Sequence, residues 1–165
     1  LRLSSAASDV YKRQSQMLIF GIQDAQKVLE EDSLLEAYAN MHLGGIILFE
    51  KNLAKKRSKN QLKALVDEIQ RISKIPSFVA IDEEGGNVTR LKSQYGFHET
   101  KTAKYLGNRN NLDSTYYYAK LTSDLLKELG INVNLAPTVD LEINDENFIS
   151  RAERSYGRDL SLIHI

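Results

Sequence analysis

The chain has 165 residues, enough for one domain with a hydrophobic core, and its 22 basic and 22 acidic side chains cancel. That balance argues against nucleic-acid or membrane-surface binding driven by bulk charge. The sequence has no cysteine, which excludes disulfides and thiolate metal sites, and no apolar run approaches the roughly 20 residues of a membrane span.

Residues 1–14 (LRLSSAASDVYKRQ) lack the apolar stretch and cleavage site of a signal peptide. They resemble translated adapter sequence carried over from assembled DNA reads, and residues 160–165 (LSLIHI) resemble its counterpart at the other end. The natural stretch is therefore expected over residues 15–159, with 1–14 and 160–165 foreign to it. Compartment is unreadable on this basis.

Residues 17–22 (MLIFGI) predict a first strand. A helix is expected over residues 32–41, capped by Asp32 or Ser33, with Leu34, Leu35, Tyr38 and Met41 at helical spacing. Gly44 and Gly45 follow as its C-cap. Ile46, Ile47, Leu48 and Phe49 predict a second strand, which ends in the polar Glu50, Lys51 and Asn52. Ser58 is expected to cap a helix over about residues 59–73, where Leu62, Leu65, Val66, Ile69 and Ile72 make one apolar stripe. Pro76 stops that helix and leads into Phe78–Ile81, an apolar run that reads as a short buried strand. Residues 91–111 read as a long loop with a helical turn near 103–106. A helix then runs from Asn111 or Asp113 to Leu129, with Tyr118, Leu121, Leu125 and Leu129 along one stripe and Gly130 at its end. The consecutive Tyr116, Tyr117 and Tyr118 cannot share one helix face, so core packing and surface contact are their expected roles. Val133 and Leu135 alternate with Asn132 and Asn134 in a fourth strand, closed by Ala136-Pro137 and followed by Asp140.

The order strand, helix, strand, helix, strand, helix, strand predicts an α/β fold with a parallel sheet. Two architectures fit: an open doubly wound sheet, or the first half of an eight-stranded barrel. A complete barrel takes about 250 residues, so the second requires a longer parent protein.

The chemistry concentrates after the third strand, where Asp82-Glu83-Glu84-Gly85-Gly86 is followed by Arg90. In both architectures ligands bind at the carboxyl ends of the strands. Gly85 and Gly86 can take positive φ and turn the chain sharply, which would return Arg90 to the side of Asp82. A carboxylate beside a guanidinium suits a ligand rich in hydroxyls: one accepts from adjacent O–H groups, the other donates through a rigid fork. The plainer reading is a solvated acidic loop and an ordinary turn. A phosphate site is disfavoured, because no strand is followed by a Gly-rich loop opening a helix and the acids would repel phosphate. His42, His98 and His164 are scattered without metal-ligand spacing, and no metal or organic cofactor is implied.

Three segments together resemble the N-terminal barrel domain of family-three glycoside hydrolases. They are Gly44-Gly45-Ile46-Ile47-Leu48-Phe49 with Asn52; Ala80-Ile81-Asp82-Glu83-Glu84-Gly85-Gly86 with Val88, Arg90 and Leu91; and Gly130-Ile131-Asn132-Val133-Asn134-Leu135-Ala136-Pro137 with Asp140 and Arg154-Ser155-Tyr156-Gly157. Within the family the chain is most similar to the β-N-acetylhexosaminidase branch, although Glu83 stands where that branch usually has glutamine. The resemblance implies a partial TIM (β/α)8 barrel of about the first four β/α units, with residues 15–159 its N-terminal half. It implies a carbohydrate substrate and retaining exo-hydrolysis that removes terminal β-N-acetylglucosamine, for example from peptidoglycan fragments. The alternatives are a β-glucosidase-type enzyme of the same family or a non-catalytic sugar-binding domain. By the same resemblance Asp82, Arg90 and Arg154 bind the innermost sugar. The family's nucleophile and acid/base match nothing in these residues, so no catalytic residue is assigned, and the chain alone is expected to be inactive.

Overall fold

A computed structural model describes residues 5–22, 40 and 42–164. Helix α1 covers Ser5–Ser15, strand β1 Ile19–Gly21 and strand β2 Gly45–Leu48. A 3-10 turn at Glu50–Asn52 leads to helix α2, Ser58–Ile72, and strand β3, Phe78–Ile81. A second 3-10 turn at Ser93–Tyr95 precedes helices α3, Ala103–Arg109, and α4, Leu112–Leu129. Strand β4 is Val133–Asn134, and the short helix α5 is Phe148–Arg151. The helix expected over residues 32–41 lies outside the described residues, save Asn40.

The strands form one sheet in the order β1-β2-β3-β4, every neighbour parallel. A doubly wound sheet reverses its strand order partway, whereas a barrel wall adds strands in sequence order. The observed order is that of a barrel arc. Val79, Ala80 and Ile81 are all buried, so β3 is covered on both faces, as a parallel barrel strand requires. Phe78, expected to be buried with them, is 56% exposed because it sits at the strand's open entry end.

The core is the layer between sheet and helices. Leu62, Leu65, Val66 and Ile69 of α2 and Leu125, Leu126 and Leu129 of α4 pack with Ile46, Leu48, Val79 and Ile81. Both helices present the stripe their spacing predicts. In α4, Tyr116 and Tyr117 are exposed while Tyr118 is half-buried. Asn111 caps that helix by accepting from Ser114 N at 2.8 Å, and Gly130 ends it at φ 78°.

Two expected caps are corrected. Gly45 opens β2 rather than closing a helix, because the sheet needs a residue without Cβ there: a Cβ would lie 2.4 Å from Phe78 O. Ser58 is the first helical residue of α2, and its Oγ donates to Ala54 O at 2.5 Å. Gln61 Oε1 accepts from Ala54 N at 2.9 Å instead, so Gln61 holds that helix entry.

Side-chain amides extend the sheet where backbone pairing stops. Asn132 Oδ1 accepts from Val79 N at 2.8 Å and its Nδ2 donates to Ser77 O at 3.0 Å. Asn134 accepts from Glu83 N at 3.0 Å and donates to Glu83 O at 3.1 Å. The two-residue β4 thus grips β3 at both ends, and its last grip fixes the point where the acidic run leaves the sheet. Asn52, fully buried, does the same between β1 and β2, accepting from Phe49 N at 2.8 Å and donating to Ile22 O at 2.7 Å.

Candidate functional site

Beyond Ile81 the chain makes the expected reversal. Gly85 and Gly86 have φ of 98° and 56°, and Gly85 pairs with Val88 across a tight antiparallel bridge. Neither glycine has room for a side chain: a Cβ on Gly85 would lie 2.4 Å from Lys101 O, and one on Gly86 2.2 Å from Thr102 Cγ2. The returning strand brings Arg90 to Asp82, with Nη2 donating to Oδ2 at 2.9 Å. Both side chains stay about a quarter exposed, 25% for Asp82 and 27% for Arg90. Arg90 Cζ also lies 6.0 Å from the Phe49 ring centroid at the exit of β2, and its buried Nε meets no acceptor among the described residues.

Arg154 arrives from far along the chain. Its segment is pinned to α3 and to the loop after β4. Lys104 N donates to Glu153 O at 3.2 Å, and Gly107 lets Tyr156 approach so closely that a Cβ there would lie 1.6 Å from Tyr156 O. Ser155 Oγ donates to Asp140 O at 2.7 Å, and Glu142 N donates to Gly157 O at 2.9 Å. Glu153 takes a left-handed backbone, φ 57°, just before the arginine. Arg154 then forms a two-point ion pair with Glu84: Nε to Oε2 at 2.8 Å and Nη2 to Oε1 at 2.6 Å. That bond raises the arginine's pKa above its ordinary value, against the opposing effect of burial.

The structure therefore brings Asp82 and Arg90 into contact and places Arg154 one carboxylate away, on Glu84. Asp82 and Glu84 take the two arginines. Glu83 between them is buried and faces its own loop. Its Oε2 accepts from Arg90 N at 2.9 Å and Leu91 N at 3.1 Å, and its Oε1 accepts from the Thr89 hydroxyl. Two roles were missed from sequence: Glu83 as the clasp of the loop, and Glu84 as the partner of Arg154. Alternation along extended chain could have set Glu83 on the opposite side from Asp82 and Glu84, but it names neither partner. Next door, Glu50 at the exit of β2 accepts from Lys92 Nζ at 2.5 Å and Tyr95 Oη at 3.0 Å. The Lys92 bond comes first in holding its carboxyl below the ordinary range.

Two cavities, of about 380 and 600 Å³, flank this group, but neither is lined by Asp82, Arg90 or Arg154. Asp82, Arg90 and Arg154 are each partly exposed, so the charged group is reachable from solvent. Chemically the group is two guanidinium forks and two carboxylates with balanced charge. That favours neutral, hydroxyl-bearing ligands over anions. Among the described residues, no cluster of three histidine or acidic side chains could hold a metal ion, and no helix is long and apolar enough to cross a membrane.

Comparison with known proteins bears on the family and the fold. The family model described as "Glycosyl hydrolase family 3 N terminal domain" matches residues 13–165. A beta-hexosaminidase A of Pseudoalteromonas piscicida is 34% identical over 144 residues, covering 79% of this chain and 22% of that protein. A glycoside hydrolase family 3 beta-N-acetylglucosaminidase from Paenibacillus sp. str. FPU-7 superposes with a TM-score of 0.80 at 31% identity, covering 93% of this chain and 28% of its own. NagZ from Neisseria gonorrhoeae in complex with N-trifluoroacetyl-D-glucosamine superposes at 0.74 with 25% identity, covering 88% of this chain and 43% of its own. The chain spans less than half the length of these relatives. The four sequential parallel strands are part of a (β/α)8 barrel. With the family model matching nearly all of it, the chain belongs to glycosyl hydrolase family 3, in the N terminal domain.

Proposed function

We propose that this chain carries the innermost sugar subsite of an exo-acting, retaining glycosidase that removes terminal β-linked N-acetylglucosamine, as from peptidoglycan fragments. One observation carries the reading: the Asp82–Arg90 pair at the exit of β3, about a quarter exposed, with Arg154 beside it. Relatives named as hexosaminidases and N-acetylglucosaminidases support the choice of sugar.

In this reading Asp82 is acceptor-only and takes two neighbouring hydroxyls of the sugar, while Arg90 and Arg154 donate to ring substituents. Retaining hydrolysis passes through a covalent glycosyl-enzyme and needs a nucleophile and an acid/base. Both are supplied by residues outside these 165, and the residues here bind and orient the sugar. The parent enzyme thereby converts binding energy at this subsite into position at the reacting carbon.

The test is hydrolysis of a chromogenic N-acetyl-β-glucosaminide by the full-length enzyme. Asp82→Ala removes charge-assisted hydrogen bonds worth about 3 kcal/mol together, so kcat/KM falls roughly a hundredfold. Wild-type kcat/KM in that variant would remove Asp82 from the sugar site. The 165-residue chain by itself is expected to release no chromophore.

A further inference from the structure

Arg154 has five N–H donors in a fixed plane, and three of them are already committed. Nε and one hydrogen of Nη2 go to Glu84, and the other Nη2 hydrogen goes to Thr138 Oγ1 at 3.0 Å. The Phe148 ring centroid lies 5.6 Å from Cζ and covers one face of the guanidinium. Nη1 alone makes no hydrogen bond among the described residues. The Glu84 side chain is only 9% exposed, against 22% for Arg154.

We propose that Glu84 is a positioning residue for the sugar subsite, clamping Arg154 so that it presents only Nη1 to the ligand. This rests on the sugar-binding reading above. With Glu84 neutralised, the guanidinium loses its two-point hold on Nε and Nη2, and Nη1 is no longer aimed at the ligand. Glu84 therefore acts on the ligand through Arg154 and touches nothing that reacts. Thr138 completes the clamp from the exit of β4, so the loops after β3 and β4 aim the arginine jointly.

The test uses the 165-residue chain and an arginine-selective dicarbonyl reagent, with the modified positions mapped by mass spectrometry. A guanidinium held by two oxygens of Glu84 reacts slowly. Glu84→Gln keeps the shape but not the charge, and should raise the modification rate of Arg154 about tenfold while leaving Arg90 unchanged. A merely structural loss would raise both rates together, and that outcome overturns the proposal, as does an unchanged Arg154 rate. Glu84→Asp keeps the charge on a shorter arm and should give an intermediate rate; this second variant decides the matter where Glu84→Gln does not fold. Binding is read separately by saturation-transfer NMR with N-acetylglucosamine. A Glu84-dependent Arg154 rate without sugar binding to the wild-type chain would sink the sugar reading and leave the clamp intact. Sugar binding that Glu84→Gln leaves unweakened would sink the positioning role.

Discussion

Asp82, Glu83 and Glu84 are chemically near-identical neighbours, yet each meets a different partner. Asp82 faces Arg90 at the surface, Glu83 binds the backbone of its own loop, and Glu84 holds Arg154. Glu83 can be exchanged only within limits. Two backbone N–H groups and the Thr89 hydroxyl converge on it. A glutamine can accept both N–H groups through Oε1 and donate through Nε2 to the hydroxyl, which serves as either donor or acceptor. Glu83→Gln should therefore change unfolding free energy by less than about 1 kcal/mol, whereas Glu83→Ala leaves two donors unpaired and costs about 2–3 kcal/mol. Urea denaturation of the full-length enzyme checks both, and equal losses would contradict the clasp. The same logic explains why a glutamate can stand where the similar branch usually has glutamine. Glu50 gives a pH prediction. Its folded pKa is depressed below 4.5, so its pair with Lys92 contributes stability above that value and loses it as pH falls through the folded pKa. The side chains are 33% and 39% exposed, so the contribution is at most about 1 kcal/mol. The stability gap between wild type and Glu50→Gln should be present at neutral pH and close below 4.5. A gap that persisted in acid would show that the pair is not its source. The Asp82–Arg90 pairing was legible because it needed only a strand exit, two glycines and a short return; the partners of Glu83 and Glu84 were not, since they depend on register and on a segment 70 residues away.

At the scale of elements, glycines and asparagines set the positions that the apolar pattern leaves open. The stripes of α2 and α4 and the run Phe78–Ile81 predict the layers directly, because burial there follows periodicity. The caps failed where geometry is decided across the sheet: Gly45 is needed for strand proximity, and Ser58 lies inside the helix. Likewise β4 is two residues long, and Asn134 within it and Asn132 just before it substitute for missing backbone pairs. Gly107 is the element-level determinant of the site. Gly107→Ala improves helix propensity by up to about 1 kcal/mol, yet its Cβ would collide with Tyr156 O and push the Arg154 segment off α3. The expected result is loss of N-acetylglucosamine binding with secondary structure by circular dichroism unchanged. Retained binding would show that the segment is held elsewhere.

At the scale of the whole molecule, four strands among the described residues form an arc with two edges. Met17, Ile19 and Phe20 at the β1 edge are 83%, 44% and 46% exposed, and Leu135 and Val139 beside β4 are 49% and 60% exposed. Edges that find no partner among the described residues, flanked by apolar side chains, favour self-association. The 165-residue chain should therefore sediment as a concentration-dependent mixture and melt broadly; a sharp, cooperative melt of a monomer would contradict this. The parallel α/β sheet was legible from the alternation of elements, but the choice between barrel arc and doubly wound sheet needed the strand order, which periodicity does not encode. The central claim is that Asp82, Arg90 and Arg154 form a sugar subsite. Saturation-transfer NMR of N-acetylglucosamine with the wild-type chain and with Asp82→Ala tests it most directly, and it tolerates self-association. The account predicts transfer to the sugar from the wild-type chain and its loss in Asp82→Ala. Equal transfer from both, or none from the wild-type chain, would contradict it.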